Sequence, residues 1–93
     1  MSEYLTKHIG LASFLTYVLG DSAHLATEVE DGKCRFYFDD PTNQCKALGD
    51  AFFSPEGAAI DSARELLECK HQIVNSTKLA RNSPDGLWER EQK

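Results

Sequence analysis

The residues best suited to chemistry in this chain are three histidines, His8, His24 and His71, and three cysteines, Cys34, Cys45 and Cys69. All six are metal-ligand types, because imidazole nitrogen and thiolate sulfur both suit zinc. Their spacing does not. Only Cys69 and His71 are close, and residues two apart on a helix point to different sides, so the pair is poorly placed to share one ion. No C-x-x-C or H-x-x-x-H spacing occurs. Cys34 and Cys45 are expected to act as small buried apolar groups. An odd number of widely spaced cysteines predicts reduced thiols rather than a disulfide framework. Neither a metal nor a cofactor is expected.

Catalytic arrangements are equally thin. No Gly-x-Ser-x-Gly elbow or Gly-rich phosphate loop frames the serines and histidines. His24 opposite Asp39 is a conceivable proton-transfer pair, weighed against a plain polar cross-strand pair at the open end of a hairpin. The acids Glu28, Glu30, Asp31, Asp39 and Asp40 sit at opposite ends of that hairpin, which favours a solvated face over a cation site. The expectation is a non-enzyme.

Binding is the remaining chemistry. Lys70, His71, Lys78 and Arg81 form an acid-free basic segment, and Tyr37 beside Arg35 offers an aromatic face to a base, so weak nucleic-acid binding is one reading. The helix dipole explains the same basic end without a ligand. Protein binding is the leading reading, with Tyr37, Arg35 and Trp88 as candidate partner contacts and a second copy of the chain among the candidate partners.

These side chains must be positioned by the elements the pattern predicts. His24 to Asp39 reads as a β-hairpin about Asp31-Gly32, the residue pair that tolerates the positive φ of a type I′ turn. Fixing that turn fixes the register. Glu30 faces Lys33, Val29 faces Cys34, and so on outward to Leu25 facing Phe38 and His24 facing Asp39. One face then holds Leu25, Thr27, Val29, Cys34, Phe36 and Phe38. The other holds His24, Ala26, Glu28, Glu30, Lys33, Arg35, Tyr37 and Asp39.

Before the hairpin, Ser2 to Thr6 predicts a short edge strand. Ile9 to Leu19 predicts an amphipathic helix, with Leu11, Phe14, Leu15 and Val18 on one stripe, Thr6 as N-cap and Gly20 past its end. After the hairpin, Asp40 caps a helix starting at Pro41 that carries Cys45, Leu48 and Phe52. Ala58 to Ile60 either extends the sheet or leads into the last helix. That helix begins near Ser62, which with Glu65 fits a capping box, and runs through Leu66, Leu67, Ile73 and Val74. The order is β-α-β-β-α-(β)-α. A hairpin with one apolar face predicts an α+β fold, a small antiparallel sheet covered on one face by three helices.

At 93 residues with a net charge of −5, the chain is one domain, expected to span residues 1–81, with a polar, flexible tail over residues 82–93 in which Trp88 stands alone. The acidic balance argues against a dedicated polycationic nucleic-acid binder. Nothing approaches a membrane span or a signal peptide, so a cytoplasmic location away from membranes is expected.

Taken together, YLTKHIGLASFL, EVEDGKCRFYFDD and AAIDSARELLECKHQI resemble a small-domain family of unknown function found in bacterial and phage genomes. The resemblance covers roughly residues 4–75 and rests on core positions: Leu5, Thr6, Leu11, Ala12, Val29, Phe36, Phe38, Phe52 and Ile60 to Ile73. The last helix carries fewer bases than the family's pattern. What the resemblance implies is a mobile-element context and an accessory or interaction role; it transfers no active site.

Overall fold

Asp31 and Gly32 both take positive φ, 53° and 77°, and this turn joins the two longest strands of a four-stranded antiparallel sheet. The computed structural model describes residues 3–90. In chain order these form β1 (Glu3–Thr6), α1 (Ile9–Leu19), a 3-10 turn, β2 (His24–Glu30), β3 (Lys33–Asp39), α2 (Cys45–Phe52), α3 (Ala63–Arg81) and β4 (Leu87–Glu89). The sheet order is β1-β3-β2-β4, so the hairpin is central and the two short strands are edges. The fold class is α+β.

From Glu30↔Lys33 to Ala26↔Tyr37 the register is the one the turn dictates. Beyond Ala26 it is not. A bulge between His24 and Ala26 absorbs Leu25, and His24 pairs with Phe38 instead of Asp39. Because successive strand residues alternate faces, one extra residue inverts the pattern from there on. His24 therefore turns to the helix-covered face and is buried, while Leu25 joins Ala26 and Tyr37 around a hollow that opens on the other face.

Phe36 and Phe38 point from the sheet into a core completed by Leu11, Phe14 and Leu15 of α1, Cys45 of α2 and Ile73 of α3. α1 is not simply amphipathic. Six consecutive residues, Leu11 to Thr16, are buried, so the middle of the helix is covered on all sides. Its two polar members remain satisfied, because Ser13 and Thr16 hydroxyls donate to the carbonyls of Ile9 and Ala12 at 2.8 and 2.9 Å.

The caps differ from expectation in detail. His8, not Thr6, caps α1, its Nδ1 accepting from the Leu11 N–H at 3.1 Å. Asp40 does collect N–H groups, from Gln44 at 2.8 Å and Cys45 at 3.3 Å, but Pro41 to Asn43 form a turn and α2 starts only at Cys45. Ser62 caps α3 as predicted, accepting from Glu65 N–H. Tyr17 steadies that start, its hydroxyl accepting from the N–H groups of Asp61 and Ser62.

Of the two readings of Ala58 to Ile60, the segment leads into α3 and adds no strand. Two expectations are overturned. Val18, Ile60 and Leu67, expected in the core, are exposed. The segment from 82 is not a free tail as far as Arg90, although residues 91–93 of that expectation, like Ser2 at the other end, lie outside the described residues. Leu87–Glu89 forms β4 against β2, with Ala26↔Glu89, Thr27↔Trp88 and Glu28↔Leu87. The Val29 N–H donates to the Gly86 carbonyl at 2.7 Å and the Arg90 N–H to the Leu25 carbonyl at 2.9 Å, closing both ends of the strand.

Gly86 makes this docking feasible. Its φ is +66°, and a Cβ placed there would stand 2.5 Å from the Val29 carbonyl oxygen. Gly86→Ala is expected to cost ~2–3 kcal/mol, from positive-φ strain plus the clash. Urea denaturation checks this; an unchanged midpoint would show that β4 contributes nothing to the fold.

Candidate functional site

His24, Thr27 and Ser76 make a buried polar chain between sheet and helix. His24 Nε2 lies 2.9 Å from Thr27 Oγ1, which lies 2.8 Å from Ser76 Oγ, which in turn donates to the Ile73 carbonyl at 2.6 Å. The bulge supplies His24, alternation along β2 brings Thr27 to the same face, and the inner side of α3 presents Ser76. Trp88 closes the assembly: its ring stacks on the imidazole at 5.0 Å and 30°, and the Arg90 guanidinium lies 5.6 Å from the Trp88 centroid. Arg90 Nε also donates to the His24 carbonyl at 2.9 Å.

A hollow of about 230 Å³ beside this chain is edged by Asp21, Gln72, Asn75 and Leu79. A histidine joined to a serine through Thr27 suggests hydrolytic chemistry, yet the geometry does little for it. Burial, reinforced by the positive charge of Arg90, lowers the His24 pKa to about 4, so the ring is neutral and a weak base near pH 7. Its Nε2 is committed to Thr27, and the Ser76 hydroxyl is 2 % exposed for that residue and committed to a backbone carbonyl. The chain reads as a clasp joining β2 to α3. Thr27→Val should cost ~1–3 kcal/mol, since it strands the polar atoms on either side; a Thr27/Ser76 double-mutant cycle by urea denaturation measures the coupling.

His24 and Asp39 form neither the polar cross-strand pair expected of them nor the conceivable proton-transfer pair, because the bulge puts His24 on the covered face. Nor do the ligand-type residues converge. Cys69 is buried while His71 is exposed, and among the described residues no three of His, Cys, Asp and Glu come together as a metal group. The Cys45 thiol is pushed up to about 12 by burial and then by neighbouring Asp40, and burial raises Cys69 as well, with Asp21 adding to it. Neither thiol is a ready nucleophile.

The three proposed contact residues separate. Arg35 and Tyr37 lie on the open sheet face, where Arg35 Nη1 bonds both Glu28 and Glu30 at 3.0 Å and the Tyr37 hydroxyl donates to Glu28 at 3.2 Å. Hydrogen bonds donated to Glu30 and then to Glu28 raise the Arg35 pKa; partial burial and the Glu28 charge raise that of Tyr37. Glu3 and Glu89 border the same face. A base stacking on Tyr37 would meet carboxylates, and Arg35 is already engaged. Trp88 is on the opposite face, packed on His24.

Lys70, His71, Lys78 and Arg81 are all exposed on α3, and none is ion-paired among the described residues. With 3.6 residues per turn, Lys70, Val74 and Arg81 fall on one flank and Leu67, His71 and Lys78 beside them. The two acids of α3 nearest the stripe, Glu65 and Glu68, fall on other sides of the helix.

The most apolar surface lies where this flank begins. A groove of about 420 Å³ runs between Ile9 and Ser13 of α1, Phe52 of α2, and Leu66, Leu67 and Lys70 of α3. Phe53, 59 % exposed, packs edge-on against Phe52 of the groove wall at 5.0 Å and against His8 at 5.1 Å. Leu67 is 56 % exposed and Ile9 39 %. Two exposed apolar side chains, Ile9 of α1 and Leu67 of α3, thus meet Phe52 of α2 around one depression of a size typical of binding clefts, and Phe53 adjoins it through Phe52.

Ile9 and Phe53 were not among the residues singled out in the sequence, and Leu67 was assigned to the core. One signal was present. Phe52 and Phe53 are consecutive at a helix end, about 100° apart, and cannot both face inward. Compared with protein-family models, with curated proteins and with solved structures, the chain has no match.

Proposed function

We propose that this is a non-enzymatic interaction domain that binds another protein through the groove between α1, α2 and α3. The observation that carries the reading is the convergence of the exposed Ile9 and Leu67 on one apolar depression walled by Phe52, against which the exposed Phe53 packs. A small domain with so few core residues loses solubility by exposing large apolar side chains together, and a partner that covers them offsets this. The walled-in histidine and serine favour binding over catalysis. The three unpaired thiols suit a reducing compartment such as the cytoplasm. Among the described residues no helix is long and apolar enough to cross a membrane.

Photo-crosslinking tests the site. A photoreactive residue at Leu67 is expected to give one dominant protein adduct in the expressing cell, and the same residue at Tyr37 none. Phe53→Asp should suppress the adduct while leaving stability within about 0.5 kcal/mol, as expected for exposed positions. An adduct of twice the chain's mass would identify a second copy as the partner. Equal adducts from both positions, or none from Leu67, would sink the assignment.

A further inference from the structure

We propose that the partner presents an amphipathic helix whose apolar stripe is flanked by carboxylates, laid along α3 from the groove toward Arg81. This rests on the groove being a protein-binding site, and adds the chemistry of what fills it. Two depressions mark the path. The first is the apolar groove at Leu67; the second, about 390 Å³ and also mainly apolar, is bordered by His71, Val74 and Lys78. Leu67 and Val74 are seven residues apart, two turns of the same helix face, so the depressions are spaced by about 10 Å along α3. A second helix lying alongside repeats its apolar side chains at the same interval, i to i+7, and fills both.

The charges select among such helices. Lys70 stands on the rim of the first depression, Lys78 on the second, and Arg81 continues the line. From Cys69 to Pro84 the chain contains no acid, and these three cations are unpaired with any acid among the described residues. Four acids of this net-negative chain, Glu3, Glu28, Glu30 and Glu89, lie instead on the open sheet face. Carboxylates along a partner helix find opposite charge at Lys70, Lys78 and Arg81 of α3, whereas a basic helix meets repulsion there. A nucleic acid would use the same cations but has no apolar side chains for the two depressions.

Three synthetic peptides of about five turns test this, sharing a leucine stripe and differing only in flanking residues: Glu, Gln or Lys. By fluorescence anisotropy with the full chain at low salt, the Glu peptide is expected to bind on the order of tenfold tighter than the Gln peptide, and the Lys peptide weakest. Lys78→Glu with Arg81→Glu should abolish the Glu preference while the weaker Gln binding persists; Leu67→Asp should remove both. Equal affinity of the Glu and Gln peptides would overturn the charge selection yet leave the groove as a binding site. No binding of any peptide, beside a Leu67 adduct in cells, would overturn the helix as occupant without touching the groove. Duplex or single-stranded nucleic acid bound in place of the peptides, and lost on the double reversal, would overturn the proposal in favour of phosphate recognition.

Discussion

Acidification from pH 7 to pH 4 is expected to cost this fold about 3 kcal/mol through His24 alone. The folded-state pKa is lowered from 6.5 to about 4, first by burial and then by Arg90. Below 6.5 the unfolded chain takes up a proton on this ring that the folded chain still refuses. In that window the unfolded state holds more protons, so stability falls as pH falls. Above 6.5 the term is flat, and below about 4 both states are protonated and nothing further is lost. His24 is 2 % exposed, so solvent screens it little. Against the ~5–15 kcal/mol typical of small domains, the loss is a large share. Urea denaturation at stepped pH should show the slope between pH 6.5 and 4, and His24→Leu should flatten it. An imidazole titrating near 6.5 by NMR would contradict the burial on which this depends.

The second large effect concerns Trp88. Trp88→Ala removes the ring stacked on His24 and with it the side chain that anchors the edge strand β4 to the covered face of the sheet. A half-buried tryptophan is expected to cost ~2–3 kcal/mol on truncation, below the ~3–5 kcal/mol of a fully buried one. The change also admits water to the imidazole, so the His24 midpoint should rise from about 4 toward its ordinary value. The two readouts are linked: a variant with lower stability but unshifted His24 would mean that other groups seal the ring. Ending the chain after Asn82 should reproduce both effects. Had the segment been a loose appendage, neither change would register.

Where the sequence was readable, the reason was local. Asp31-Gly32 permits one turn, that turn permits one register, and five rungs of it hold from Glu30↔Lys33 to Ala26↔Tyr37. Ser62 and Asp40 find N–H groups because capping is settled within a few residues. The register failed at Leu25, where the deciding contacts come from far away in the chain: Ser76 is 49 residues from Thr27, and Arg90 is 66 from His24. A strict alternation argument has no means of knowing that a histidine will be met by a tryptophan from the end of the chain. β4 was missed because three residues carry no periodicity. The basic flank of α3 was visible as an acid-free run, but the groove was not, since its walls come from three separate elements. Leu67 looked like core because an apolar stripe on a helix does not announce which side another element covers.

The strand order carries a consequence for colloidal behaviour. β2 and β3, seven residues each, are the members of the sheet long enough to template a foreign strand, and both lie inside it. Four residues of β1 and three of β4 form the rims, with Glu3 and Glu89 adding charge there. Short, charged rims are poor seeds for edge-to-edge growth. β4 therefore acts as a cap on a more dangerous strand. When it detaches, the run His24–Glu30 becomes an edge with open N–H and C=O groups, and the hazard changes from lost stability to fibre formation or exchange of the strand between molecules.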